Sequence, residues 1–208
     1  MARLLPLFPL QLVVFPGNLI PLHIFEERYR EMVGDAAANS TEFGIVLARD
    51  GGIVNTGCTV LVENIVNRYP DGRFDVLTRG RRRFEIIALD QEKACLRGEV
   101  EYFDDEDVAP ADEDLRTQAI ETLVHMRQAL KQDNETSPDS AHPLLSFQLA
   151  QEVDDLDFKM TLQQERSEPE RLKKFIKFVE AYIPRQEYTT RVRRAAPQNG
   201  FGHKPAGV

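Results

Sequence analysis

Four prolines within the first 21 residues, Pro6, Pro9, Pro16 and Pro21, constrain this chain more than any other feature. They punctuate an apolar opening, residues 4–33, that reads LLPLFPLQLVVFPGNLIPLHIFEERYREMV. Each proline removes a backbone donor and pushes the residue before it toward extended geometry, so no helix can run through residues 4–22. The remaining solution is two short strands joined by a Pro16-Gly17-Asn18 turn, with Phe25, Tyr29, Met32 and Val33 then falling at helical spacing. The same prolines argue against a secretory leader, whose apolar region must be helix-compatible and end at small residues. No other run approaches the roughly 18 apolar residues that a spanning helix needs. The sequence is therefore read as cytoplasmic and without a membrane partner.

After Gly34 to Asn39, read as a helix exit, Phe43 to Ala48 reads as a buried strand and Asp50-Gly51-Gly52 as a turn. Cys58 to Tyr69 and Phe74 to Leu89 flank Pro70-Asp71-Gly72, the clearest hairpin signal in the chain. On the return strand Phe84 and Ile86 share one face and Arg83 and Glu85 the other. Ala94 to Phe103 gives one more strand. Five or six strands with closely spaced turns imply a small barrel or sandwich rather than a parallel sheet between helices.

Composition changes at Asp104-Asp105-Glu106-Asp107. This acidic run lacks the glycine and spaced ligands of a calcium loop and reads as a solvated linker with helix-start carboxylates. Helical period then takes over. A helix is expected over residues 113–132 with Leu115, Ala119, Leu123, Met126 and Leu130 on one stripe, followed by short helices over 143–152 and 155–165. The last helix carries a capping box, Ser167 with Glu170, and Pro169 in its first turn. Leu172, Phe175, Ile176, Val179 and Ile183 form its apolar face, Arg171, Lys173, Lys174 and Lys177 are expected toward water, and Pro184 is expected to end it. The organisation is thus α+β: a β subdomain over 1–105, a helical bundle over 106–184, and a basic, mobile tail over 185–208.

Net charge is −8, unevenly spread: residues 185–208 carry +4, leaving −12 for residues 1–184. An acidic body disfavours general nucleic-acid binding, whose affinity comes mainly from phosphate neutralisation. Catalytic signatures are missing. No glycine precedes a lysine as a phosphate-binding loop requires, none of the five serines sits between glycines, and the four histidines form no HExxH. His23 with Glu26 and Glu27 is the one local acid–base grouping, and a buried or capping histidine near a helix start explains it equally well. Cys58 and Cys95 stand apart with no histidine at ligand spacing, so neither a disulfide framework nor a metal site is indicated, and no cofactor is expected. One basic cluster, Arg79-Gly80-Arg81-Arg82-Arg83, offers Arg79, Arg81 and Arg82 as contacts for an anionic ligand. Its alternative is pairing with acidic residues on neighbouring strands.

The opening stretch, together with GCTVLVENIVNRYPDGRFDVLTRGRRRFEIIAL at 57–89, resembles the N-terminal domain of Lon proteases and its free-standing bacterial relatives. The matching elements are Leu5-Pro6-Leu7, Phe15-Pro16, Ile20-Pro21-Leu22, Gly57, Asp71-Gly72, and Gly80 with Arg83, Phe84 and Ile86. The segment from His23 to Tyr29 looks most like the free-standing relatives, and LSFQLAQEVDDLDFKMTLQQERSEPERLKKFIKFVEAYI over 145–183 resembles the helical half. The resemblance implies a PUA-like β pseudo-barrel followed by a helical bundle, and recognition of unfolded or tagged polypeptides. It also implies a non-catalytic chain, since the sequence stops before the ATPase and Ser-Lys peptidase domains of a full protease would begin. An adaptor role in protein quality control follows as an expectation. Phe8, Phe15, Phe25 and Tyr29, where they pack against the first helix of the bundle, are candidate peptide-binding residues, with a place in the core as their alternative. RNA binding, known among PUA-like folds, is the alternative.

Overall fold

In the computed structural model the described residues are 4–195 except 50, 91, 93, 108, 109 and 135. Six strands form one sheet: β1 (Leu5–Leu10), β2 (Leu19–Ile24), β3 (Phe43–Arg49), β4 (Gly52–Arg68), β5 (Phe74–Asp90) and β6 (Arg97–Phe103). Their order is β2-β5-β4-β3-β1-β6, and β6 pairs back onto β5. The second pairing closes β1, β3, β4, β5 and β6 into a ring, while β2 extends the far end of β5 and leaves one edge free. Only β1 and β3 run parallel.

The proline reading of residues 4–22 holds. Gly17 at φ 84° supplies the positive dihedral of the turn between β1 and β2. Pro21 sits mid-strand in β2, which a proline tolerates only at a sheet edge. Gly72 at φ 86° closes the β4–β5 hairpin as expected. These two strands are 17 residues long, which lets their near halves pair in the ring and their far halves carry β2. Inside the ring Phe84 is fully buried among Leu5, Leu7 and Val46. A Cβ on Gly44 or Gly57 would fall 2.7 or 2.6 Å from its ring, so both positions need glycine to admit it.

Helix α1 (Glu27–Asn39) covers the barrel with Tyr29, Met32, Val33 and Ala36. The expected exit over Gly34 to Asn39 is still helical up to its last residue, because the alanines after Gly34 favour helix and Ala36 finds a buried place. Ser40, at φ 51°, ends it by returning its N–H to the Ala36 carbonyl. Phe25 lies before the helix, not on its apolar face.

The helical half contains α2 (Glu113–Leu130), α3 (Leu145–Ala150), α4 (Leu156–Gln164) and α5 (Glu168–Ala195). Its core joins Ala119, Leu123 and Met126 of α2 to Leu172, Phe175 and Val179 of α5, and takes in Val13, Phe15 and Leu47 from the barrel. The barrel and bundle therefore share apolar surface. Asp155 caps α4 by accepting the Phe158 N–H at 2.9 Å. At α5 the expected capping box is half formed. Ser167 Oγ accepts the Glu170 N–H at 3.4 Å, while the Glu170 carboxylate pairs with Lys173.

Two expectations for α5 are corrected. Pro184 does not end the helix, which continues to Ala195. The carbonyl left without its donor is that of Glu180, on an exposed residue, where water can serve it. Arg171 is not turned to water but fully buried. It stands one turn before Phe175, at the margin of the apolar stripe, and packs over the Phe147 ring at 4.4 Å. Residues 185–195 of the expected tail are helical, and residues 196–208 lie outside those described.

Candidate functional site

The four aromatics expected to bind peptide do not form one group. Phe8 on β1 stacks on Tyr29 of α1 with ring centroids 4.0 Å apart. Both are buried, and removal from water pushes the Tyr29 hydroxyl pKa up. Phe15 faces the other way and stacks on Phe147 at 4.6 Å within the helical core. Phe25 is 61% exposed at the end of β2. It lies beside His23, whose Nδ1 is 2.6 Å from Asp75, and Tyr69 donates to the same carboxylate at 2.7 Å. The hydrogen bonds from His23 and then Tyr69 hold the Asp75 carboxyl below its usual range.

Phe8, Phe25 and Tyr29 border the first of three open clefts. The first, about 350 Å³, also touches Leu10 and Leu96. Arg28 joins it to a second of about 390 Å³, floored by Met32, Ala36, Phe43 and Cys95. Pro6, Thr41 and Glu42 join that to a third of about 490 Å³ ending at Arg82 and Tyr102. Together the clefts make a trough along α1, from an exposed aromatic at the edge strand to the barrel flank. Its floor is apolar and its rim is charged. Cys95 donates to the Arg28 carbonyl at 3.1 Å, and burial raises its pKa.

The arginine cluster is mostly spent on neighbours. Arg79 pairs with Glu63 and also donates to the Gly17 carbonyl at 3.1 Å. Arg82 pairs with Glu42 at 3.0 Å and lies 3.9 Å over the Tyr102 ring. Arg83 is buried, bonded to Asp105 and to the Gln163 and Glu165 carbonyls. Arg81 alone is exposed with no carboxylate among the described residues. Alternation along β5 hid this, because Arg83 shares a face with Glu85 yet passes under the helical half.

Arg83 belongs to a buried ionic joint between the two halves. Asp105 receives both Arg83 and Arg171, and Arg171 also meets Glu168 at 2.8 Å. Ser146 of α3 donates to Glu168 at 2.6 Å, and the Arg171 Nε donates to Ser146 Oγ at 2.9 Å. Burial would raise the Asp105 carboxyl, but hydrogen bonds from Arg171, and the charges of Arg171 and Arg83, draw it below its usual range. Burial, joined by the charge of Arg171, lowers the Arg83 pKa more than Asp105 and the more distant Asp104 raise it; Arg171, bonded to both Asp105 and Glu168, is raised despite its burial. Sequence reasoning missed Asp105 and Arg171. The signal available was the spacing of Arg171, Phe175 and Val179, which places all three on one side of α5.

Among the described residues no group of three or more His, Cys, Asp or Glu side chains could hold a metal ion. Likewise no helix there is long and apolar enough to cross a membrane.

Comparison with known proteins agrees with this geometry. The sequence pattern of the ATP-dependent protease La (LON) substrate-binding domain matches residues 4–181. The crystal structure of a Lon N-terminal domain protein from Xanthomonas campestris superposes with a TM-score of 0.65 at 26% identity, covering 84% of this chain and 97% of that one. The N-terminal domain of the Mycobacterium avium complex Lon protease shares the fold, with a TM-score of 0.63 at 20% identity over 86% of this chain and 98% of its own. Lon protease 1 of Hydrogenovibrio crunogenus is 28% identical over 102 residues, 46% of this chain and 12% of its own length. The Lon protease of Anaeromyxobacter dehalogenans is 25% identical over 124 residues, 56% and 14% respectively. The chain thus spans a small part of the length of the curated proteases it matches.

Proposed function

The chain belongs to the ATP-dependent protease La (LON) substrate-binding domain family, and from that premise we propose that it is a non-catalytic module binding unfolded or tagged polypeptides, as an adaptor in protein quality control. The observation that carries this reading is the trough along α1, apolar at its floor and opening beside the 61% exposed Phe25. An exposed aromatic at the mouth of an apolar trough suits the side chains of an extended segment, which a folded protein would keep inside. Phe8 and Tyr29 support the site from beneath. Phe15, stacked in the helical core, serves architecture.

The RNA alternative has less behind it. Of the three arginines offered to an anion, Arg79 and Arg82 are already paired, which leaves Arg81 as the free cation of that cluster among the described residues.

Titration of the protein with a permanently unfolded polypeptide, followed by fluorescence anisotropy, tests the reading. Saturable binding is expected, and Phe25→Ser should weaken it by about five- to thirty-fold, since burying part of a Phe side chain is worth ~1–2 kcal/mol. Thermal stability should stay close to that of the parent, because the side chain makes little of the core. Binding that is absent, or indifferent to Phe25→Ser and to substitutions of the trough floor such as Met32→Ser, would remove the site. Salt-sensitive affinity for structured RNA, without affinity for polypeptide, would replace the reading altogether.

A further inference from the structure

The rim of the trough is unequally neutralised. Its arginines are each held by a carboxylate: Arg28 by Glu26 at 2.8 Å, Arg82 by Glu42 at 3.0 Å and Arg97 by Asp90 at 2.9 Å. Glu31 and Asp35, which line the same wall on α1, have no cationic partner among the described residues. Both are exposed, and each directly precedes in the chain a residue of the apolar floor, Met32 or Ala36. The trough therefore presents an apolar base and, on one wall, two uncompensated negative charges.

From this we propose that the trough selects extended polypeptide segments in which apolar residues alternate with lysine or arginine at neighbouring basic positions two residues apart. The inference rests on the polypeptide-binding reading and adds the chemistry of what is bound. Spacing supports it. Glu31 and Asp35 are one helical turn apart, about 6 Å along α1 at 1.5 Å per residue. Two residues of extended chain cover about 6.6 Å, and alternate side chains of such a chain point the same way. A segment lying along α1 can thus set two basic side chains against the two carboxylates while the intervening residues, on its other face, turn away from α1 toward Phe43 and Cys95. The aliphatic stems of lysine and arginine can add contact with the same floor. An acidic segment meets repulsion from the same wall, so charge sets preference and the apolar floor sets adhesion.

The test uses the full chain and three labelled peptides with identical apolar residues, carrying lysine, glutamine or glutamate at the two alternate positions. At low salt the lysine peptide should bind about five-fold or more tighter than the glutamine peptide, as two exposed ion pairs provide. The glutamate peptide should bind weakest. The lysine advantage should shrink as salt rises past physiological strength. In the Glu31→Gln/Asp35→Asn double variant it should largely vanish while the glutamine peptide binds as before. Both positions are exposed, so the variant is expected to fold, and its thermal transition verifies that. Equal affinity of lysine and glutamine peptides for the parent protein, or an undiminished lysine advantage in the double variant, would overturn the charge selection and leave polypeptide binding intact. Failure of all three peptides to bind would overturn both.

Discussion

Gly80 illustrates how much a single position can decide. It lies in β5 against the turn after β1, exchanging backbone hydrogen bonds of 2.9 Å with Gly17 and Asn18. A Cβ there would be driven into the carbonyl of Phe15, which is backbone and cannot swing aside. Gly80→Ala should therefore cost about 1–3 kcal/mol or more, as overpacking at a rigid contact does. Urea unfolding of the variant measures this, and a change under about 0.5 kcal/mol, the size of an ordinary surface substitution, would show that the turn can yield. Phe25 is the opposite case, a large residue with little effect on the fold and a direct part in the proposed recognition.

At the scale of elements, α5 departs furthest from simple sequence rules. An interior proline costs roughly 3 kcal/mol relative to alanine in a helix, yet α5 continues beyond Pro184 for another eleven residues, to Ala195. Tyr182 and Ile183, just before it, are buried, whereas residues 185–192 are exposed apart from the half-buried Gln186 and contribute little to the core. Pro184→Ala should accordingly increase helical circular dichroism and slow amide exchange over residues 185–195. Global unfolding should change much less, since that part of the helix buries little. Unchanged exchange there would mean that the turns beyond Pro184 are held by something other than their own hydrogen bonds. The α1 helix shows the converse, continuing past a glycine because its alanines and the burial of Ala36 outweigh one permissive residue.

For the whole molecule, the decisive feature is the ionic joint of Arg83, Asp105, Arg171, Glu168 and Ser146, which ties β5, the acidic linker and the helices together. Truncating one partner of a buried pair leaves its mate uncompensated, at about 3–5 kcal/mol. Its pH dependence has a definite sign. The Asp105 carboxyl is held below its usual range in the folded protein, so the unfolded chain takes up the proton first as pH falls. The contribution is thus complete above the ordinary carboxylate pKa of about 4 and is lost as pH drops through the lower folded value. Asp105→Asn should be destabilised near neutrality and approach the parent as pH falls below about 4. Denaturation midpoints at stepped pH test this, and a constant gap down to strong acid would remove Asp105 from the acid response. Phe25, Glu31 and Asp35 of the proposed site bond to no member of this joint, so the two can be altered separately.

Local signals by themselves determined most of the architecture. The prolines excluded an early helix, period two and the Pro70-Asp71-Gly72 turn drew the long hairpin, and period 3.6 drew α2 and α5, because these patterns depend on residues a few places apart. Tertiary structure decided which charges leave water. Arg83 and Arg171 are as basic as Arg81 and Lys173, and what separates them is Asp105, 22 and 66 residues away, together with the Glu165 carbonyl. It also decided that Phe15 joins the helices, that Phe25 faces water, and that Glu31 and Asp35 line an apolar trough with no cationic partner among the described residues. Partners of that kind meet only when β5, the linker and the helices are brought together, and no local period carries that information.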